Sequence, residues 1–229
     1  MKTRFSVILL ISLLATGSVW AEGKTVGNPP YSGFLKAYVS KLLASPDHEG
    51  LWLYIDKSID YKGYTKLMFD PILIYNDQNP KPNSVQPRVL YEMREDILAS
   101  LTSALTSGYE IVQEPGPDVL RFRTSIYGVT LVPAEKDLLD YVPIKAALDL
   151  ISGGEAVPQM TAEMEVVDAN GKGVAAITAQ RMGVTVMFKD DIKSLKWADL
   201  QPITDYWSKG LRQGLDQLRN VSTGSTVAH

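Results

Sequence analysis

The sequence contains no cysteine. That excludes disulfide staples, thiolate metal sites and cysteine nucleophiles, and it leaves no residue to carry the lipid of a bacterial lipoprotein. Histidine is nearly as scarce: of two in the chain, His48 lies in the turn-like stretch Ser45-Pro46-Asp47-His48-Glu49-Gly50 and His229 is the final residue. Neither is placed as a general base or a ligand. No phosphate-cradling glycine loop, HExxH helix or nucleophile elbow occurs. Clustered Lys and Arg are missing too, and the formal net charge is -3, so the electrostatic footprint of a nucleic-acid binder is absent. No catalytic set, metal or cofactor is expected.

What is present begins with residues 1–21, where Lys2 and Arg4 precede an apolar run from Val7 to Ala15 and then small and polar residues ending Val19-Trp20-Ala21. That is the three-part plan of a secretory signal cleaved after Ala21. The apolar run falls short of the roughly 20 residues of a membrane span, and nothing after Ala21 offers another. A soluble periplasmic or secreted protein is expected, the alternative being anchorage by an uncleaved N-terminal segment. Residues 22–63 read as an irregular, aromatic-rich lead-in, 64–219 as an α/β core domain, and 220–229 as a disordered tail.

Phe34 to Leu43 reads as a short helix or irregular cover with Phe34, Tyr38, Leu42 and Leu43 inward, and Leu51 to Ile55 as a brief alternating stretch. Tyr64 to Tyr75 is a strand in which Pro71 marks an edge or bulge. Arg88 to Thr106 is the best helix: Leu90, Met93, Ile97, Leu101, Ala104 and Leu105 recur at three- and four-residue steps, with Gly108 where a C-terminal cap belongs. A long strand spans Val119 to Val132, with Arg121 and Arg123 on one side and Leu120, Phe122 and Thr124 on the other. Leu138 to Leu150 has helical spacing. Thr161 to Val167 and Val174 to Arg181 form a hairpin around Asp168-Ala169-Asn170-Gly171-Lys172-Gly173. A helix from Leu200 to Leu218 closes the order, with Ile203, Trp207, Leu211, Leu215 and Leu218 inward and Asp205 near its positive end. The fold class is α+β or α/β: a single mixed, largely antiparallel sheet with two main helices packed on one face.

Charged and aromatic side chains on these strands supply the ligand or partner candidates: Arg123, Arg181, Glu163, Trp52 and Tyr54. Arg123 and Arg181 on adjacent strands facing a concavity could fork onto an anion; alternatively they pair across the sheet with Glu163 or Glu165. Those two carboxylates share a strand face about 6.6 Å apart, compatible with paired-carboxylate hydrolysis but equally with an ordinary solvent-facing strand. Trp52 and Tyr54 belong to an aromatic crowd with Tyr31, Phe34, Tyr38, Tyr61 and Tyr64, which if exposed would mark an interaction surface.

The sequence resembles the bacterial family catalogued as domain of unknown function 3313, whose members are mostly exported lipoproteins. The resemblance rests on Tyr31-Ser32-Gly33-Phe34, Tyr54-Ile55-Asp56, Tyr64, Met68-Phe69-Asp70-Pro71 and Gly108-Tyr109-Glu110. It continues through Pro115-Gly116-Pro117-Asp118-Val119-Leu120-Arg121, Glu163 to Asp168 with Gly171, Arg181-Met182-Gly183, and Trp207 with Leu211 and Leu215. It implies an exported envelope protein and carries over no reaction or catalytic residue; the departure is the missing lipid-bearing cysteine. The expected function is non-enzymatic: binding another envelope protein or a small ligand. The alternative is a hydrolase of an envelope substrate using Glu163 or Asp168, which would require carboxylates converging in a pocket.

Overall fold

A computed structural model of the chain describes residues 29–46, 48–75, 84–133, 154–183, 186–188 and 195–221. The signal segment, the 138–150 helix and the last eight residues of the tail lie outside them. Among the described residues nine strands pair into one sheet. Its strands are β1 (Leu43–Ala44), β2 (Leu51–Ile55), β3 (Lys66–Phe69), β4 (Leu73–Ile74), β5 (Glu110–Val112), β6 (Val119–Pro133), β7 (Gly154–Val167), β8 (Gly173–Met182) and β9 (Val186–Phe188). The order is β1-β2-β8-β7-β6-β3-β5, with β4 also on β6 and β9 also on β7. Pairing is antiparallel from β1 through β6, while β3, β4 and β5 run parallel to their neighbours, so the sheet is mixed and largely antiparallel.

Local chemistry explains the breaks. Pro71 interrupts the stretch from Tyr64 to Tyr75 into β3 and β4, both of which pair with β6, because proline has no N–H to give the ladder. The hairpin of β7 and β8 turns at Gly171, whose φ of +74° a side chain would resist, and Asp168 Oδ1 accepts the backbone N–H groups of Asn170 and Lys172, each at 2.9 Å. Residues within the 22–63 lead-in contribute more than cover: β1 and β2 come from it, and β2 pairs along its whole length with β8.

Among the described residues three α-helices follow from the periodic segments: α1 (Pro87–Glu92), α2 (Arg94–Ser103) and α3 (Trp197–Val221). The helix read as continuous over Arg88 to Thr106 is broken at Met93, which caps both pieces. Its stripe still buries Leu90, Ile97, Leu101 and Leu105. α3 begins three residues before the expected start, so Asp199 rather than Asp205 occupies its first turn and accepts the Lys196 N–H at 2.8 Å. Asp205 instead accepts the Ser100 hydroxyl at 2.6 Å.

Small hydroxyl residues let α2 and α3 approach closely. Ser100 meets Thr204 at 2.7 Å, and Ser208 donates to the Leu101 carbonyl at 2.8 Å while accepting from the Ala104 N–H at 3.1 Å. Gly108 does not have the positive φ of a helix cap. A Cβ there would stand 2.5 to 2.8 Å from the Arg212 guanidinium, which donates to the Ala104 carbonyl and the Ser107 hydroxyl; a side chain at 108 would have to push that flexible group aside.

The helices cover one face of the sheet. Ile126, Val129 and Leu131 of β6 with Ala156, Met160 and Ala162 of β7 pack under Leu90, Ile97, Leu101, Leu200 and Ile203. Further along, Leu120, Phe122, Met164, Val166, Val174 and Ala175 pack with Tyr61, Leu67, Leu105, Tyr109 and Leu215. Every second residue of the central strands is spent on this core, which hands the alternate ones to the other face.

Candidate functional site

The alternate residues define the site. Because β2, β8, β7 and β6 lie side by side, the register sets Trp52, Thr178, Glu163 and Ser125 in one row across the outer face, and Tyr54, Ala176, Glu165 and Arg123 in the next. Directly opposed side chains in such rows stand about 5 Å apart at Cβ. Four of the five sequence candidates, Trp52, Tyr54, Glu163 and Arg123, therefore share one surface.

Arg181 does not join them. β6 and β8 are separated by β7, and the alternation of β8 turns Arg181 to the helix side, where its guanidinium stacks 3.3 Å from the centroid of the Tyr206 ring on α3. Tyr206 in turn lies 3.4 Å from His48 Nδ1. The concavity joining Arg123 to Arg181 does not form, for the physical reason that their strands are not neighbours and their side chains leave opposite faces.

Nor is the outer face an open charged surface. Glu163 is 1% exposed, against the expectation of a solvent-facing strand, because residues 31–42 lie across it as a strap. The strap is a run of tight turns, with the Tyr38 N–H donating to the Leu35 carbonyl at 2.8 Å and the Lys41 N–H to the Tyr38 carbonyl at 2.7 Å. Gly33 at a φ of +101° starts it. Ser32 donates its backbone N–H to Glu163 Oε1 at 3.2 Å and its hydroxyl to Glu163 Oε2. Tyr38 donates its hydroxyl to Glu165 Oε1 at 2.7 Å, and burial first, then that bond, push the phenol well above its usual range.

Apolar contacts fix the strap between these two anchors. Leu35 and Tyr38 bury against Ala176, with Phe34, Leu42 and Tyr54 packed around them. Inward facing was expected of Leu43, which is instead 73% exposed on β1; Leu35 takes the inward place. The Tyr38 and Tyr54 rings lie 5.6 Å apart, and Lys41 Nζ stands 5.0 Å from the Tyr54 ring. Tyr38 reaches over Gly173 so closely that a Cβ on that glycine would fall 1.6 Å from the phenol oxygen.

Beside the strap, charges are matched pairwise. Arg121 forks onto Asp70, Nε to Oδ1 at 2.7 Å and Nη2 to Oδ2 at 2.8 Å. Arg123 Nη1 donates to Glu165 Oε2 at 2.7 Å, the cross-strand pairing that its register predicts. These pairs are half-exposed, so each contributes about 1 kcal/mol or less. Beneath the strap the matching is incomplete. Among the described residues no Lys or Arg lies within ion-pair distance of Glu163, and Thr178, its direct neighbour on β8, is fully buried with its hydroxyl lacking a hydrogen-bond partner. No group of three or more metal-ligating side chains occurs among the described residues.

Sequence reasoning placed Tyr38 inward in this cover, as it is found, but missed Ser32, Gly173 and Thr178 as parts of this site. Ser32 stands in a stretch that carries the family resemblance, but its partner is 131 positions away. No local pattern announces such a contact.

No curated protein matches the chain. Among solved structures it is similar to the PelC dodecamer from Paraburkholderia phytofirmans, at 10% identity over 74% of this chain and 96% of that one, with a TM-score of 0.36. It is also similar to a minor lipoprotein from Acinetobacter baumannii, at 13% identity over 70% and 94% of the two chains, with a TM-score of 0.33. Lipoprotein GNA1162 from Neisseria meningitidis shows 11% identity over 68% and 99%, with a TM-score of 0.31. The model of one protein family matches residues 30–211, from the strap to the middle of the last helix, and the chain therefore belongs to the family described as protein of unknown function DUF3313.

Proposed function

We propose that this chain is an exported, non-enzymatic envelope protein that binds another envelope protein through the outside of its strap and the adjoining edge strand. The observation that carries the reading is a line of exposed apolar side chains: Tyr31 at 45%, Val39 at 40% and Leu43 at 73%. They follow one another along residues 31–43, and among the described residues β1 ends the sheet with its far edge unpaired. Apolar groups held in water on an ordered segment gain free energy when a partner covers them. An open strand edge offers that partner backbone hydrogen bonds. The export half of the reading rests on the signal-like first 21 residues; no helix among the described residues is long and apolar enough to cross a membrane.

The hydrolase alternative draws on carboxylates that are engaged otherwise. Glu163 lies under Ser32, Glu165 is held between Tyr38 and Arg123, and Asp168 closes the hairpin turn. The test is crosslinking in intact cells, followed by affinity purification of the processed protein and mass spectrometry. A reproducible envelope partner lost on Val39→Asp and Leu43→Asp is the expected result. Recovery of the protein alone at its monomer mass, or a partner retained by both variants, would overturn the proposal.

A further inference from the structure

The strap is held by opposing contributions. Leu35 and Tyr38 are buried by closing it, while closure also covers the Glu163 carboxylate, which Ser32 alone compensates among the described residues. Among the described residues Glu163 receives hydrogen bonds from Ser32 alone, two of them, and a carboxylate has room for about four. No cation faces it among the described residues, since Arg123 is committed to Glu165 and reaches toward Asp70. Thr178, opposite it on β8 and turned to the same face, is buried with no hydrogen-bond partner for its hydroxyl among the described residues. A buried, sparsely bonded carboxyl group and an unsatisfied hydroxyl side by side are costly wherever they occur, and a cation with several N–H donors is the group that would satisfy both.

We infer that residues 31–42 are a displaceable strap, and that the row Thr178–Glu163–Ser125 beneath it is a binding site for the ammonium or guanidinium group of a partner chain's Lys or Arg. That side chain takes the place of Ser32 on Glu163, and its additional N–H groups reach the Thr178 hydroxyl. Trp52 stands at the end of the same row, beside Thr178. The inference deepens the proposed function: the outside of the strap is where a partner first touches, and the row beneath is what a basic side chain of that partner engages once the strap lifts.

The absence of native cysteine permits a direct test. In the processed full chain, Leu35→Cys with Ala176→Cys places the only two thiols at a packed contact, and oxidation locks the strap shut. Hydrogen exchange of residues 31–42 is followed with tri-arginine as the probe and tri-glutamate as the control. The expected result is that tri-arginine accelerates strap exchange at least fivefold in the native chain. The oxidised double variant should show no response and regain it on reduction.

Glu163→Gln separates charge recognition from packing. It keeps the shape and an acceptor for Ser32, so the strap should exchange no faster than in the native chain without probe, yet respond to tri-arginine less than twofold. An equal tri-arginine response in Glu163→Gln, or none in the native chain, would overturn the inference. A locked strap that still recovers the envelope partner in cells would sink the displacement while leaving the proposed function standing.

Discussion

Gly173→Ala is the substitution for which the structure gives the sharpest expectation. The glycine begins β8, and its φ is not positive, so alanine meets no backbone strain; in isolation it should stabilise the strand by roughly 0.5–1 kcal/mol. The new Cβ, however, would lie 1.6 Å from the Tyr38 phenol oxygen and 2.8 Å from Cζ. The ring must leave. With it goes the hydrogen bond to Glu165, a bond to a charged-type group contributing about 1.5–3 kcal/mol, and part of the apolar burial of Tyr38, about another 1–2 kcal/mol at 25 cal/mol per Å².

The net expected loss is therefore roughly 2–4 kcal/mol in the native background. In a Tyr38→Ala background the obstacle is gone, and Gly173→Ala should cost about zero or stabilise slightly. Urea denaturation of the four proteins gives a double-mutant cycle, with an expected coupling of about 2–4 kcal/mol. Additivity to within about 0.5 kcal/mol would refute the contact, because residues that do not touch add.

Two further expectations rest on other parts of the molecule. Leu101 is buried between α2 and the sheet, so Leu101→Ala should destabilise by roughly 2–5 kcal/mol; a change below about 0.5 kcal/mol in chemical denaturation would contradict that burial. Asp56 is held below the usual carboxylate range by hydrogen bonds from Ser58, and by the Lys172 ammonium at 2.9 Å. A depressed carboxyl contributes stability that is complete above its ordinary value near 4 and is lost as pH falls through the lower, folded one. Asp56→Asn should therefore flatten the fall of melting temperature on acidification below about pH 4. An unchanged acid slope in that variant would show that the pair with Lys172 is not part of it.

Much of the fold is legible in the residues themselves. Alternation marks β6, β7 and β8 because a pleated strand with one apolar face can satisfy only a period of two, and the three- and four-residue stripe marks α2 and α3 for the corresponding helical reason. The Asp168–Gly173 turn follows from residues that tolerate positive φ, and the break at Pro71 follows from a missing donor. The division of β7 into an apolar side and a Thr161-Glu163-Glu165 side is equally local. What periodicity misplaces are termini and interruptions. Met93 splits a stripe that stays in phase across the split, and α3 starts at Trp197, where the Asp199 side chain meets the Lys196 N–H.

What the sequence by itself determined is which residues share a face; what only the tertiary structure decided is what covers that face. Glu163 reads as a solvent-facing carboxylate because alternation reports its direction and nothing else. Its burial is created by Ser32, 131 positions earlier, through turns with no period to detect. Arg123 and Arg181 read alike in sequence, yet β7 inserts between their strands, and opposite phases send one to Glu165 and the other to Tyr206. Strand order and the docking of a non-repetitive segment are set by the summed fit of side chains distant in the chain, such as Leu35 on Ala176 and Tyr38 over Gly173. Such fit leaves no local trace: each residue is ordinary where it stands and becomes specific only against its partner.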